Sequence, residues 1–142
     1  MFADDRIIVA SGRHPERPIF CLRAGGRGDI TASKHVAWQN RRGPYMPTPL
    51  IYRGNVYALN NSGLIGCFDL KTGKEAWNFE TELAIEAAPL VVGDIVYIGS
   101  TDGFLYALKV KTGKLLWKYE TEGEIMGAGN RAIRPKSKDE VI

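Results

Sequence analysis

The chain has 142 residues, a formal charge of +3, 44% hydrophobic and 25% charged residues; this is the composition of one folded soluble domain and excludes a chain disordered throughout. No run of 18 apolar residues occurs, so no membrane-spanning helix is expected. The opening Met1-Phe2-Ala3-Asp4-Asp5-Arg6 is acidic where a secretion signal needs a basic start followed by an apolar stretch, and the residues as written carry no export signal.

Charge divides the chain. Residues 1–60 hold nine Lys and Arg against four Asp and Glu, while 61–142 hold ten against twelve. Eight of the first nine are Arg and eight of the later ten are Lys, which separates an irregular first segment from a regular remainder. In the first segment, residues 5–12 read as a strand, Ile19–Arg23 as the next and Val36–Trp38 as the end of another, since each is an apolar run bounded by turn chemistry. Residues 13–18 lengthen one turn and 24–31 form a Gly-rich loop. Either loop could carry a site or serve as a spacer. Gly25-Gly26-Arg27-Gly28 could cradle an anion through backbone amides, but it lacks the Lys-Ser/Thr of a phosphate loop and opens no helix. The prolines of 41–49 are expected to fix a crossover into the next unit.

From Pro49 the sequence repeats. Pro49–Trp77 matches Pro89–Trp117 at a shift of 40 residues with no gap: Val56-Tyr57 aligns with Val96-Tyr97, Gly63 with Gly103, and Lys71-Thr72-Gly73-Lys74 with Lys111-Thr112-Gly113-Lys114. A repeat of this period takes precedence over every other reading. The later copy reads as four strands, Leu90–Val92, Ile95–Ser100, Phe104–Val110 and Lys114–Glu120. They are separated by Gly93-Asp94, Thr101-Asp102-Gly103 and a hairpin in which Gly113 takes the left-handed conformation. Four up-and-down strands in about 40 residues make one propeller blade. The expected fold is therefore all-β, a partial β-propeller of about three four-stranded antiparallel blades. Residues 1–48 form a degenerate first blade with Trp38 in the place of Trp77, 49–88 and 89–125 are regular blades, and 126–142 are the start of a further blade and a tail.

Tyr106-Ala107-Leu108, then Lys111-Thr112-Gly113-Lys114 and Trp117, resemble the Ala-Leu-Asp-x-x-Thr-Gly-x-x-x-Trp signature of pyrroloquinoline-quinone-type propeller repeats, a match that covers residues 49–120. The resemblance implies that the tryptophan of each repeat packs between neighbouring blades, which gives Trp38, Trp77, Trp117, Gly73, Gly113 and Asp69 structural roles here. The signature's Asp is present as Asp69 but is Lys109 in the other copy. The family holds both quinone-dependent dehydrogenases and catalytically silent scaffolds, so fold alone does not decide function. It also implies a periplasmic or cell-envelope location.

Candidate chemistry is sparse. His14 and His35 lack metal-pair spacing and read as solvated surface residues. Cys21 and Cys67 fall on equivalent third strands of successive blades, too far apart to bridge, and read as small buried hydrophobes. The resembled dehydrogenases use adjacent cysteines, a calcium site and a catalytic Asp; here no cysteines adjoin and no acidic run has calcium-loop spacing. No cofactor and no catalysis are expected. The alternative is a fragment of a quinoprotein-type oxidoreductase whose active-site residues lie outside this chain. A nucleophile elbow and a zinc helix are absent from the sequence. Asn60-Asn61-Ser62 is a formal glycosylation sequon that reads as turn chemistry, and Glu80-Thr81-Glu82 with its copy Glu120-Thr121-Glu122 reads as charge protecting a sheet edge. An anion site built from Arg23, Arg27, Arg41 and Arg42 is a weaker third reading, and a nucleic-acid partner is not expected.

Propellers usually close with about four to eight blades. About three would leave two open faces of apolar side chains, and such faces mark partners. The leading expectation is a non-catalytic interaction scaffold of the outer-membrane barrel-assembly type, with a protein partner or self-association covering the open faces.

Overall fold

A computed structural model describes residues 2–11, 18–41 and 48–127. They form three four-stranded sheets in chain order, each an antiparallel meander. The first holds β1 (Phe2–Ala3), β2 (Arg6–Ala10), β3 (Ile19–Arg23) and β4 (Val36–Asn40). The second holds β5 (Leu50–Tyr52), β6 (Asn55–Leu59), β7 (Leu64–Asp69) and β8 (Glu75–Glu80), and the third β9 (Leu90–Val92), β10 (Ile95–Gly99), β11 (Phe104–Lys109) and β12 (Leu115–Glu120). The protein is an all-β partial propeller of three blades, and the blades do not close a ring. Among the described residues no helix is long and apolar enough to cross a membrane.

The hairpin chemistry explains the common blade shape. Between β7 and β8 the Asp69 carboxylate accepts from the Thr72 amide and hydroxyl, both at 2.8 Å, and from the Lys71 amide at 3.1 Å. These bonds hold its pKa below the ordinary carboxylate range. The β11–β12 hairpin has Lys109 there and lacks the carboxylate's bonds, but keeps the Gly113 amide donating to the Lys109 carbonyl at 2.8 Å just as Gly73 donates to Asp69, and the Lys114 amide donating to the Thr112 hydroxyl at 3.4 Å.

The first blade departs from the sequence reading in two ways. Val36–Trp38 is the start of β4 rather than its end, because Cys21 pairs with Trp38 and Ile19 with Asn40, which carries the strand two residues further. The blade also has a first strand, β1, whose two residues are too short to show alternation; it pairs Phe2 with Ile7. The turn insertion at 13–18, the crossover at 41–49 and the tail from 126 lie largely outside the described residues.

The middle blade is covered on both faces. Val56, Ala58, Phe68 and Leu70 join Ile8, Ile19 and Cys21 in the core between the first and second blades. Tyr57, Leu59, Ile65, Cys67 and Trp77 face the other way and meet Val96, Ile98, Tyr106 and Leu108 of the third. Strand alternation sends neighbours such as Val56 and Tyr57 to opposite cores. That is why Asn55–Leu59 reads as an almost unbroken apolar run.

Candidate interaction surface

Each joint between blades carries one tryptophan. The Trp38 indole N–H donates to the Leu70 carbonyl at 2.9 Å, and its ring lies over Gly73, where an added Cβ would come within 2.6 Å of the ring. Forty residues on, or nearly so, Trp77 donates to the Val110 carbonyl at 2.7 Å and its ring covers Gly113. A buried indole needs such an acceptor, and its flat face needs a floor without a side chain. In all three sheets the ladder between third and fourth strands slips at the same place, between Cys21 and Leu22, Cys67 and Phe68, and Ala107 and Leu108. The extra residues Ala37, Ala76 and Leu116 are bulges that sit directly before each tryptophan and re-aim it. No sequence signal marks a bulge, because it changes register and not residue type.

The third blade repeats this arrangement with no further sheet opposite it among the described residues; the chain's own Ile125 packs over Gly99 on this face, its amide donating to the Ser100 carbonyl at 3.1 Å. Trp117 stands 5.9 Å from Tyr97 at 53° between planes, against 6.0 Å and 54° for Trp77 and Tyr57. Yet Trp117 is 43% exposed where Trp77 is 8%, and beside it Leu116 and Tyr119 are 46% and 65% exposed. The resemblance places Trp117 between blades; within these residues it lies on an open face. Asp69 lies at the hairpin that places Gly73 beneath Trp38, as described above.

The rim beyond β12 is polar. Thr101, Asp102, Gly103, Glu120, Glu122 and Glu124 line an open groove of about 300 Å³. Asp102 accepts from the Tyr106 hydroxyl at 2.7 Å and from the Phe104 amide at 2.9 Å, and also from the Glu82 amide of the preceding blade at 3.2 Å. Burial first, then this carboxylate, pushes the Tyr106 hydroxyl's pKa up. The Glu-Thr-Glu ends contain a contact that their charge conceals: Thr81 donates to the Leu83 carbonyl at 2.7 Å and Thr121 lies 2.8 Å from the Gly103 and Gly123 carbonyls. Recurrence of the Thr at a shift of 40 was the available signal.

Other residues singled out in the sequence do not converge. Cys21 and Cys67 are free and buried. Burial pushes the Cys67 thiol up to about 11 and raises that of Cys21 against the pull of Arg6 and Arg23. His35 is half-buried against Gly26 and Ile30, not a solvated surface residue, because the Gly-rich loop folds back on it; His14 lies outside the described residues. In that loop Asp29 accepts from the Thr31 hydroxyl at 2.6 Å and its amide at 2.9 Å, so the loop bonds to itself. Arg23 donates to the Lys34 carbonyl at one end of the first sheet, and Arg41 follows β4 at the other; Arg42 lies outside the described residues. Asn60 accepts from the Ser62 hydroxyl and the Ser62 and Leu64 amides at 2.7–3.0 Å, which is turn chemistry.

Solved structures show the same fold. BamB from Moraxella catarrhalis aligns with a TM-score of 0.64 at 23% identity over 82% of this chain and 33% of its own. A europium-containing methanol dehydrogenase aligns at 0.66 and 22% over 83% and 23%, and the computationally designed protein Ika4 at 0.70 and 18% over 92% and 77%. The chain thus spans about a quarter to a third of the two natural proteins' length. Comparison with curated protein sequences gives no match. Residues 20–142 match the family described as outer membrane protein assembly factor BamB, and the chain belongs to this family of PQQ-like propellers.

Proposed function

We propose that the chain is a non-catalytic propeller scaffold for protein–protein interaction in the cell envelope. The observation that carries the reading is the open face of the third blade. Trp117 stands in the pose that docks Trp77 onto a neighbouring sheet, and Leu116 and Tyr119 extend an exposed apolar surface around it. On this reading residues 49–88 and 89–125 are regular blades, 1–48 a degenerate one and 126–142 the start of another. Trp38, Trp77 and Trp117, with Gly73, Gly113 and Asp69, are the blade-packing residues.

The second reading, a fragment of a quinoprotein-type oxidoreductase completed by residues outside this chain, is favoured by the likeness to the methanol dehydrogenase. Titrating the purified chain with pyrroloquinoline quinone, with calcium or a lanthanide, separates the two. The scaffold reading expects no retained quinone absorbance after gel filtration and no dye-linked alcohol oxidation; a retained quinone band makes the oxidoreductase reading the leading one.

A further inference from the structure

Charge separates along the strands of the two regular blades. In each meander the turn between first and second strands and the hairpin between third and fourth lie at one end, and the turn between second and third lies at the other. At the hairpin end of these blades stand Arg53, Lys71, Lys74, Lys109, Lys111 and Lys114, six cations against the three anions Asp69, Glu75 and Asp94. The opposite end holds three glutamates within 80–86, three within 120–124 and Asp102. Lys118, whose ammonium lies 4.3 Å over the Phe104 ring, is the cation on that half.

Each end runs on from blade to blade. At the hairpin end Arg53 of the second blade reaches Asp94 of the third at 3.2 Å; at the other the Glu82 amide reaches Asp102, also at 3.2 Å. The Trp77 bond to Val110 fixes one hairpin against the neighbouring blade, so the two Lys-Thr-Gly-Lys segments are held on one rigid end. The acids among them are engaged locally. Asp69 is bonded by its own loop, Asp94 by Arg53, and Glu75 accepts from the Asn78 side-chain amide at 2.7 Å. Lys71, Lys74, Lys111 and Lys114 are exposed. The first blade adds Arg6, Arg23, Arg27 and Lys34 against Asp4, Asp5 and Asp29 at the same end.

Five of the six cations on the regular blades are lysines, and that choice selects the kind of partner. Protein interfaces favour arginine and aromatic residues and are depleted of lysine, because the guanidinium fork bonds a fixed carboxylate in a fixed geometry. A lysine ammonium is a compact, hydrated charge on a flexible stem, and it gains from the number of anions within reach. A fluid array of lipid phosphates rewards that property, and about four to eight basic residues on one surface form an anionic-lipid contact. The glutamate end is repelled by the same surface, which orients the molecule.

The geometry points to the hairpin end of the blades as a docking surface for an anionic lipid bilayer, with Lys71, Lys74, Lys111 and Lys114 against the headgroup phosphates and the glutamate end turned away. The inference goes beyond the scaffold reading and uses neither Trp117 nor the number of blades. Cosedimentation with vesicles of phosphatidylcholine containing about 30% phosphatidylglycerol tests it, beside vesicles of phosphatidylcholine alone. Binding is expected to the first only, and to be lost between about 0.1 and about 0.5 M salt. Lys71→Gln with Lys74→Gln, and Lys111→Gln with Lys114→Gln, should each weaken binding about tenfold, and the four together should abolish it, with an unchanged β-sheet circular dichroism spectrum. Adding Glu120→Gln and Glu122→Gln to the first pair restores the net charge and should not restore binding. Three results overturn the inference: no binding to the anionic vesicles at low salt, binding indifferent to the lysine variants, or binding that follows net charge alone. Lysine-dependent retention on a nucleic acid or an acidic protein without vesicle binding also overturns it, and gives the lysines to that partner. A retained quinone removes the scaffold reading and leaves the lipid contact standing.

Discussion

Trp77 donates its indole N–H to the carbonyl of Val110, 33 residues further along, at 2.7 Å. That bond ties the outer strand of the second blade to the hairpin of the third. Trp77→Phe keeps most of the apolar ring and removes the donor, leaving the carbonyl of the partly buried Val110 without this bond. The expected loss is about 1–3 kcal/mol of unfolding free energy, read from urea denaturation with an unchanged slope.

Glycines of positive φ separate into two groups. Gly113 has φ of 68° and an added Cβ would enter the Trp77 ring; Gly93 has φ of 61° and open space around it. Gly93→Ala should cost about 1 kcal/mol, for the left-handed backbone alone. Gly113→Ala adds overpacking against Trp77 and should cost about 2–4 kcal/mol. Thermal melts of the two variants, side by side, measure the difference.

The two regular hairpins offer a natural exchange. Lys109→Asp should install in the third blade the bonds that Asp69 makes to Thr72, here to Thr112, and raise stability by about 0.5 kcal/mol, a small gain because the site is exposed and screened. Asp69→Lys should lose a similar amount. Chemical denaturation of both variants at neutral pH checks the signs.

Alkaline pH should weaken the fold through Cys67. Its thiol is pushed from 9.0 up to about 11 by burial, so the folded state holds the proton more tightly than the unfolded chain. Stability from this group is fully present below about pH 9 and is lost as pH rises through about 11. The slope approaches about 1.4 kcal/mol per pH unit within that window. Cys67→Ala, which installs the residue that the third blade carries as Ala107, should flatten the loss relative to the unsubstituted protein. The burial-raised pKa values of Tyr57 and Cys21 act in the same direction in both proteins.

Much of the fold was legible because the repeat fixes its own register. Leu90–Val92 and Ile19–Arg23 were read with the bounds that the structure gives, since β-branched runs between turn residues have few other ways to fold. The first blade was harder. β1 is too short for alternation, and a 12-residue connection replaces the compact hairpin between β3 and β4. The tryptophans' partners were partly legible: Gly73 and Gly113 recur with the repeat, but the Leu70 and Val110 carbonyls are backbone groups that no side-chain pattern reveals. Open faces followed from the count of about three blades, but that Trp117 stands on one did not. Trp77 and Trp117 sit in near-identical local sequence, and only the presence of a following sheet distinguishes them.

The middle sheet, covered on both sides, sets how the molecule opens. A stack in which each unit touches only its neighbours loses its end units at a smaller cost than its centre. Amide hydrogens of β6 and β7 should therefore exchange with solvent last, and those of β2 and β12 first. Among the three described sheets the fraying should advance inward from the outer two, so the tryptophan joints give way before the middle sheet does.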